Sequence, residues 1–303
     1  MTDTPTLDLD RALGFAILSR SVRGRLVRIG PALEDILAAH NYPLPIEKLL
    51  GEALVLTALL GAMLKDDQGQ LTMQAQTENG VIDLLVADYR AGELRGYVRF
   101  DAERLAEMPV DPSLFALFGK GYLAITFDQS ASNERYQGIV PLEGASLCEA
   151  VSDYFERSEQ IPSLIRAHIE RIEGVGCVAG GMLLQHLPEG EEGGERLHVR
   201  EDDAAWEHVS VIGGTVKGEE LVDPALPLET LIWRLFNEDE AEVRVLSAAQ
   251  LAKGCRCDPD HIAEVLLKFP DEERAEMADA NGVIAVNCEF CSRTFPIPLE
   301  RPA

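Results

Sequence analysis

The chain has 303 residues, with 27 Lys and Arg against 52 Asp and Glu, for a formal charge of −25. That excess of acid argues against general nucleic-acid binding, which needs Lys and Arg to release counterions from a polyanion, and against an anionic membrane surface. Hydrophobic residues at 46 % exclude a disordered chain, and the length accommodates two or three domains.

The opening MTDTPTLDLD is acidic and lacks the basic then apolar pattern of a targeting segment. The longest apolar stretch, Leu49 to Leu64, contains Glu52 and is too short to span a bilayer. The expectation is a cytoplasmic protein without membrane contact.

Arg25 to Ile29 reads as a strand, and Pro31 suits the first position of a helix through ALEDILAAH. From Ile46, apolar residues at Leu49, Leu50, Ala53 and Leu54 have helical spacing. QLTMQAQ (70–76) alternates strictly, and Asn79-Gly80 with VIDLLVADY beyond it predicts a hairpin. LRGYVRF, GYLAITFD and RYQGIVPL continue as strands. Ser146 with Glu149 predicts a capping box opening a helix whose apolar face is Leu147, Val151, Tyr154 and Phe155. SLIRAHIERI and CVAGGMLLQ read as two more strands.

Composition changes after Leu187. PEGEEGGERLHVREDD (188–203) holds seven acidic residues and two arginines, the profile of a charged linker. Residues 189–242 carry 16 Asp and Glu against four Lys and Arg, yet Leu228, Leu231, Ile232, Leu235 and Phe236 form one apolar helix face. Trp206 and Trp233 lie in the same stretch. Such a segment folds only where it docks its apolar faces, and acidic self-repulsion opposes its compaction. Near the C-terminus, Asp258 and Pro259 predict a helix start. Asp271 is expected to cap a second helix ended by Asn281-Gly282, and VIAVN and SRTFPI are expected to flank CEFC as strands. Runs of strands with interspersed helices predict α+β. The expected organisation is a mixed core domain (1–187), a largely helical acidic linker (188–247) and a small zinc domain (248–303).

The chemistry concentrates in Cys255, Cys257, Cys288 and Cys291, a C-x-C and a C-x-x-C separated by thirty residues. A segment of about 55 residues makes a weak core alone. Four thiolates on Zn²⁺ form a closed structural site that supplies folding energy. Spacing leaves two roles open: an inert staple, or a switch in which oxidation of metal-held thiolates destroys the ligand set. Cys148, in the capped helix, and Cys177, in an apolar strand, read as inert core thiols. His261 is expected at the surface, and His186, His198 and His208 solvated. GVGCVAGG lacks the helix and later acid of a dinucleotide loop. With no catalytic triad or HExxH pattern, an enzyme is not expected.

RGRLVRIG (23–30), GEALVLTALLGAMLK (51–65), RYQGIVPLEG (135–144), YFERSEQIP (154–162), AGGMLLQHLP (179–188) and LIWRLFNEDE (231–240), followed in order by the two cysteine pairs, resemble the redox-regulated chaperones of the thirty-three-kilodalton heat-shock protein family, close to end to end. The resemblance implies an ATP-independent holdase that is a nearly inactive monomer when reduced and zinc-bound. It further implies that oxidation forms Cys255–Cys257 and Cys288–Cys291 disulfides, zinc leaves, the switch and linker unfold, and the exposed surface binds unfolding client proteins as a homodimer. Trp206, Leu228, Leu231, Ile232, Leu235 and Phe236 are then the candidate client surface. Asp258 stands where the family commonly has Ser, which keeps the helix cap but places a carboxylate beside the cysteines. The competing reading is a zinc-ribbon regulatory or nucleic-acid-binding module with a purely structural metal. Ten acidic against six basic residues in 250–303 count against nucleic acid. A thiol oxidoreductase would need CEFC to open a helix in a βαβ unit.

Overall fold

The computed structural model describes residues 7–64, 69–129, 134–187 and 204–299. The expected charged linker start at 188–203, His198 included, lies outside the described residues. The chain opens with strands β1 (Arg11–Ile17) and β2 (Val22–Ile29), then helices α1 (Pro31–Leu37) and α2 (Leu44–Gly61). Pro31 occupies the first turn of α1 as expected. Strands β3 (Gln70–Glu78), β4 (Ile82–Arg90) and β5 (Glu93–Phe100) follow, then short helices α3 (Ala102–Ala106) and α4 (Leu114–Phe118). Strands β6 (Lys120–Gln129) and β7 (Glu134–Pro141), helix α5 (Leu147–Arg157) and strands β8 (Ser163–Ile172) and β9 (Gly176–His186) complete this part.

The acidic segment carries helices α6 (Ala204–Gly214), α7 (Gly218–Val222) and α8 (Leu228–Phe236), and then strand β10 (Val243–Gln250). The C-terminal part adds β11 (Ala252–Lys253), α9 (Pro259–Leu266), α10 (Asp271–Met277), β12 (Val283–Asn287) and β13 (Thr294–Pro298). This mixture of helices and mainly antiparallel strands is the expected α+β class. No helix among the described residues is long and apolar enough to cross a membrane.

The strands form a five-stranded sheet in the order β10-β1-β2-β9-β8, a six-stranded sheet in the order β11-β5-β4-β3-β6-β7, and the β12-β13 hairpin. Helix α2 packs against strands of both large sheets. It is apolar nearly all round, the mark of a buried helix, and thirteen of its 18 residues are buried. The core between the sheets gathers Val27, Ile29, Leu54, Met73, Leu85 and Leu123. The five-stranded sheet also buries its opposite face. Leu13, Phe15 and Ile17 of β1 and Met182 and Leu184 of β9 pack there against Leu228, Leu231, Ile232 and Phe236 of α8. Strand alternation explains the division: neighbouring residues of one strand serve two different cores.

Several local expectations are corrected. Asn79 takes the left-handed conformation (φ 62°) but Gly80 does not, so β3 and β4 are joined by a wider turn than a two-residue one. Gly80 is required for another reason: a Cβ there would lie 2.7 Å from the Phe118 carbonyl oxygen. Ser146 caps α5 by accepting from Glu149 N, but the Glu149 carboxylate returns to Ala145 N rather than Ser146 N. Asp271 is the first residue of α10 and not its cap, and α10 ends at Met277, before Asn281-Gly282. Gly282 (φ 72°) instead turns the chain into β12. His186 is buried, and its ring stacks on Trp206 at 5.9 Å. His208 is half-buried rather than solvated, while His261 is exposed as expected.

Candidate metal and redox centre

The C-x-C pair is delivered by the edge of the six-stranded sheet. Ala252 and Lys253 pair in parallel with Glu93 and Leu94 of β5. Ala252 N donates to Gly92 O at 3.0 Å and Gly254 N to Leu94 O at 2.8 Å. Cys255 and Cys257 follow at once. Asp258 then caps α9 by accepting from Asp260 N at 2.9 Å, with Pro259 in the first turn. The C-x-x-C pair sits in the loop of the β12-β13 hairpin, closed by Cys288 N to Arg293 O and Ser292 N to Cys288 O. Ser292 adopts φ 54° to make that turn.

The four sulfurs from these two segments all lie within 4.8 Å of one another. Cys255 and Cys257 Sγ are 2.9 Å apart, Cys257 and Cys288 Sγ 3.2 Å, and Cys255 and Cys288 Sγ 3.7 Å. A tetrahedral zinc with bonds of about 2.3 Å separates its sulfurs by about 3.8 Å. The closer pairs need to part by less than about 1 Å to reach that spacing, and four thiolates in one cluster are a donor set that suits such an ion. Burial raises the Cys255 and Cys257 thiols. Burial also opposes charge on Cys291, but hydrogen bonds from Arg293 and the neighbouring thiols outweigh it and hold that group at about 6. The Arg293 Nε–Cys291 Sγ distance is 3.4 Å.

Sequence reading missed how this loop is seated. Phe290, between the two loop cysteines, meets the Tyr97 ring edge-on at 5.0 Å. The Arg95 guanidinium lies 4.0 Å from the Phe290 ring centroid. Buried Asp88 orients Arg95 at 2.6 Å and accepts from the Thr72 hydroxyl at 2.7 Å. His40 Nε2 donates to Phe290 O at 3.3 Å and the Ser292 hydroxyl donates to His40 Nδ1 at 3.3 Å. Arg256 reaches Gln70 at 2.7 Å.

The second candidate set is also brought together. Leu228, Leu231, Ile232 and Phe236 are buried, while Leu235 and Trp206 are half-buried on the same apolar cluster. Each buried large apolar side chain stabilises by about 1.5–3 kcal/mol, or roughly 6–12 for the four in α8. Ordering the nine residues of α8 costs about 1–2 kcal/mol each. The cost, about 9–18 kcal/mol in all, exceeds that gain, so docking relies on polar contacts as well. Arg28 provides them: fully buried, it donates to Leu221 O (2.8 Å), Leu226 O (2.7 Å), Glu220 O (3.0 Å) and Asp8 O (3.2 Å). Burial pushes its charge down, and Asp8 and Asp223 support it. Asp8 also caps α8, accepting from Leu228 N at 2.7 Å. A Cβ at Gly180 would lie 2.1 Å from Leu221 O, so glycine lets α7 rest on β9. The sequence held a signal for Arg28. It has the same parity in β2 as Val22 and Leu26, which places it on an apolar face.

Cys148 and Cys177 are buried. Burial, with Glu52 nearby, pushes Cys148 well up, and burial takes Cys177 to about 11. Both are core thiols, and the one cation acting on each, Arg171 on Cys177 and Arg166 on Cys148, does not offset its burial.

The Hsp33 protein family model matches residues 10–297. The 33 kDa chaperonin of Caulobacter vibrioides is 41% identical over 302 residues, covering 97% of this chain and 96% of that protein. The 33 kDa chaperonin of Shigella boydii is 35% identical over 275 residues, covering 91% and 87%. The crystal structure of the 33 kDa chaperonin from Thermotoga maritima superposes with a TM-score of 0.77 at 22% identity, covering 96% of this chain and 95% of that one. With four cysteine sulfurs in one cluster and matches running nearly end to end, the chain belongs to the Hsp33 family of chaperones.

Proposed function

We propose that this protein is a redox-regulated, ATP-independent holdase of the cytoplasm, built from a core domain (1–187), a linker (188–247) and a zinc switch (248–303). The observation that carries the reading is a continuity. The segment that covers the apolar face of the five-stranded sheet runs through β10 and β11 straight into Cys255. Cys255, Cys257, Cys288 and Cys291 would together hold a Zn²⁺ ion, which would cross-link the two segments and keep the sulfurs as thiolates.

In this reading a peroxide oxidises each pair. Two thiolates give up two electrons and join as a disulfide, while the peroxide takes two protons and leaves as two waters. The pairs are Cys255–Cys257 and Cys288–Cys291, as the family resemblance implies. Disulfide formation removes the donors, and with them about 10–16 kcal/mol of metal-derived folding energy. The switch loosens, α6–α8 lose their anchorage, and Leu13, Phe15, Ile17, Met182 and Leu184 become available to unfolding clients. The apolar faces of the released helices add to that surface, and the active form pairs with a second copy.

The test is light scattering from a heat-unfolding client, with the protein either reduced and zinc-loaded or pretreated with warm peroxide. Suppression only after oxidation is the expected result. Equal suppression in both states, or none in either, overturns the redox reading and leaves the cysteines as a structural metal site.

A further inference from the structure

We infer that the outer backbone edge of β1 is a strand-addition site for an extended apolar segment of an unfolding client, and that β10 fills it in the resting protein. The inference rests on the proposed release of the linker and switch. Ala12 to Ile17 (ALGFAI) contains no charge and no proline. That composition suits an interior strand. An exposed edge of this kind pairs with any extended chain it meets, and folded proteins blunt their edges with charges, bulges or short strands.

The other outer strands of the two large sheets are blunted in these ways. Strand β8 carries Arg166, Glu170 and Arg171, β7 carries Arg135, and β11 has two residues. Strand β10 carries Arg244 and a register shift opposite Gly14, where Leu13 pairs with Ala248 and Phe15 with Val245. Only β10 makes β1 interior on that side, pairing from Arg11–Gln250 to Ile17–Val243.

β10 is also a weakly held occupant. Val245 and Leu246 are nearly half exposed, and its end lies within a few residues of Cys255. Once β10 leaves, the bared edge offers main-chain hydrogen bonds, which do not depend on client sequence. Phe15 and Ile17 stand beside that edge on the face vacated by α8, so an incoming strand places alternate side chains over apolar surface. The fitting partner is an extended segment with aliphatic residues opposite Phe15 and Ile17, where β10 places Val245 and Val243.

The experiment uses a fluorescent peptide of residues 243–250 (VRVLSAAQ) with the full-length protein. The peptide is expected to bind only after peroxide treatment and to reduce client holding several-fold. The same peptide with Val245→Pro is expected to bind about tenfold more weakly, a loss of about 1.4 kcal/mol. Oxidised protein that holds client while neither peptide binds nor competes overturns this inference alone, as does equal competition by the proline peptide. Oxidised protein that takes up no client overturns the parent reading and this one with it. Amides of Ala12 to Ile17 that become protected from hydrogen exchange with rising protein concentration, without client, would assign the edge to a second copy and overturn the client assignment.

Discussion

Two charged side chains away from the cysteines, the buried Arg28 and the half-buried Glu52, have different jobs. Arg28 is the polar anchor of the acidic segment, and Arg28→Ala leaves four carbonyls without their donor. The expected loss is about 3 kcal/mol of docking free energy. It should show as red-shifted Trp206 emission and faster proteolysis of the α6–α8 region in reduced protein, with zinc content unchanged. Unchanged emission would mean that α8 packing alone holds the segment. Glu52 accepts from Cys148 N at 2.9 Å at the start of α5, and burial raises its carboxyl despite that bond. The folded state therefore keeps the Glu52 proton to higher pH than the unfolded state does. This contribution to stability is complete below the unfolded value of about 4.3 and is lost as pH rises through the raised folded value. Glu52→Gln keeps an acceptor and removes the charge. It should raise Tm at neutral pH and flatten the fall of Tm with pH above the unfolded value; a lower Tm at neutral pH would show that the carboxylate is needed ionised.

At the scale of elements, the loop of the β12-β13 hairpin meets the core through the Phe290 ring and through the bonds of His40 to Phe290 O and Ser292. The ring's edge-on pair with Tyr97 and its stacking with Arg95 are worth roughly 1–2.5 kcal/mol together. Phe290→Ala leaves all four sulfurs in place but frees the loop. Thiol oxidation should accelerate several-fold at equal zinc stoichiometry, read by the release of zinc to a colorimetric chelator under peroxide. An unchanged rate would separate seating of the loop from thiol reactivity. Elements with strong periodicity were legible beforehand: α2, β3, α5 and α8 lie where their apolar spacing put them. The four-cysteine site was legible because thiolate spacing is read directly from the chain. Strand β10 was not, since VRVLSAAQ has little alternation and its pairing partner lies more than two hundred residues away. Nor was the burial of His186, which depends on Trp206 arriving from another segment. The seat of Phe290 was hidden for the same reason: Arg95, Tyr97 and His40 converge only in the folded sheet.

For the whole molecule, the sign of the charge matters. The segment that covers the apolar sheet face is strongly acidic in a chain of net charge −25, so its docking is opposed by self-repulsion that salt screens. Replacing Cys288 and Cys291 by Ser should release zinc and loosen the segment without oxidant, and high ionic strength should partly restore Trp206 burial in that variant. Full zinc retention or undisturbed Trp206 would contradict the proposed clamp. The route of the chain adds a mechanical consequence. Strand β10 ends on one sheet and β11 begins on the other, with Leu251 alone between them, buried and donating to Asp10 O at 2.7 Å. The two ladders are therefore loaded in series. Tension arriving from Cys255 meets the two pairs of β11 first, then the buried leucine, and only then the longer ladder of β10. The chain can tear only in that sequence, like a seam with its weakest stitches at the pulled end.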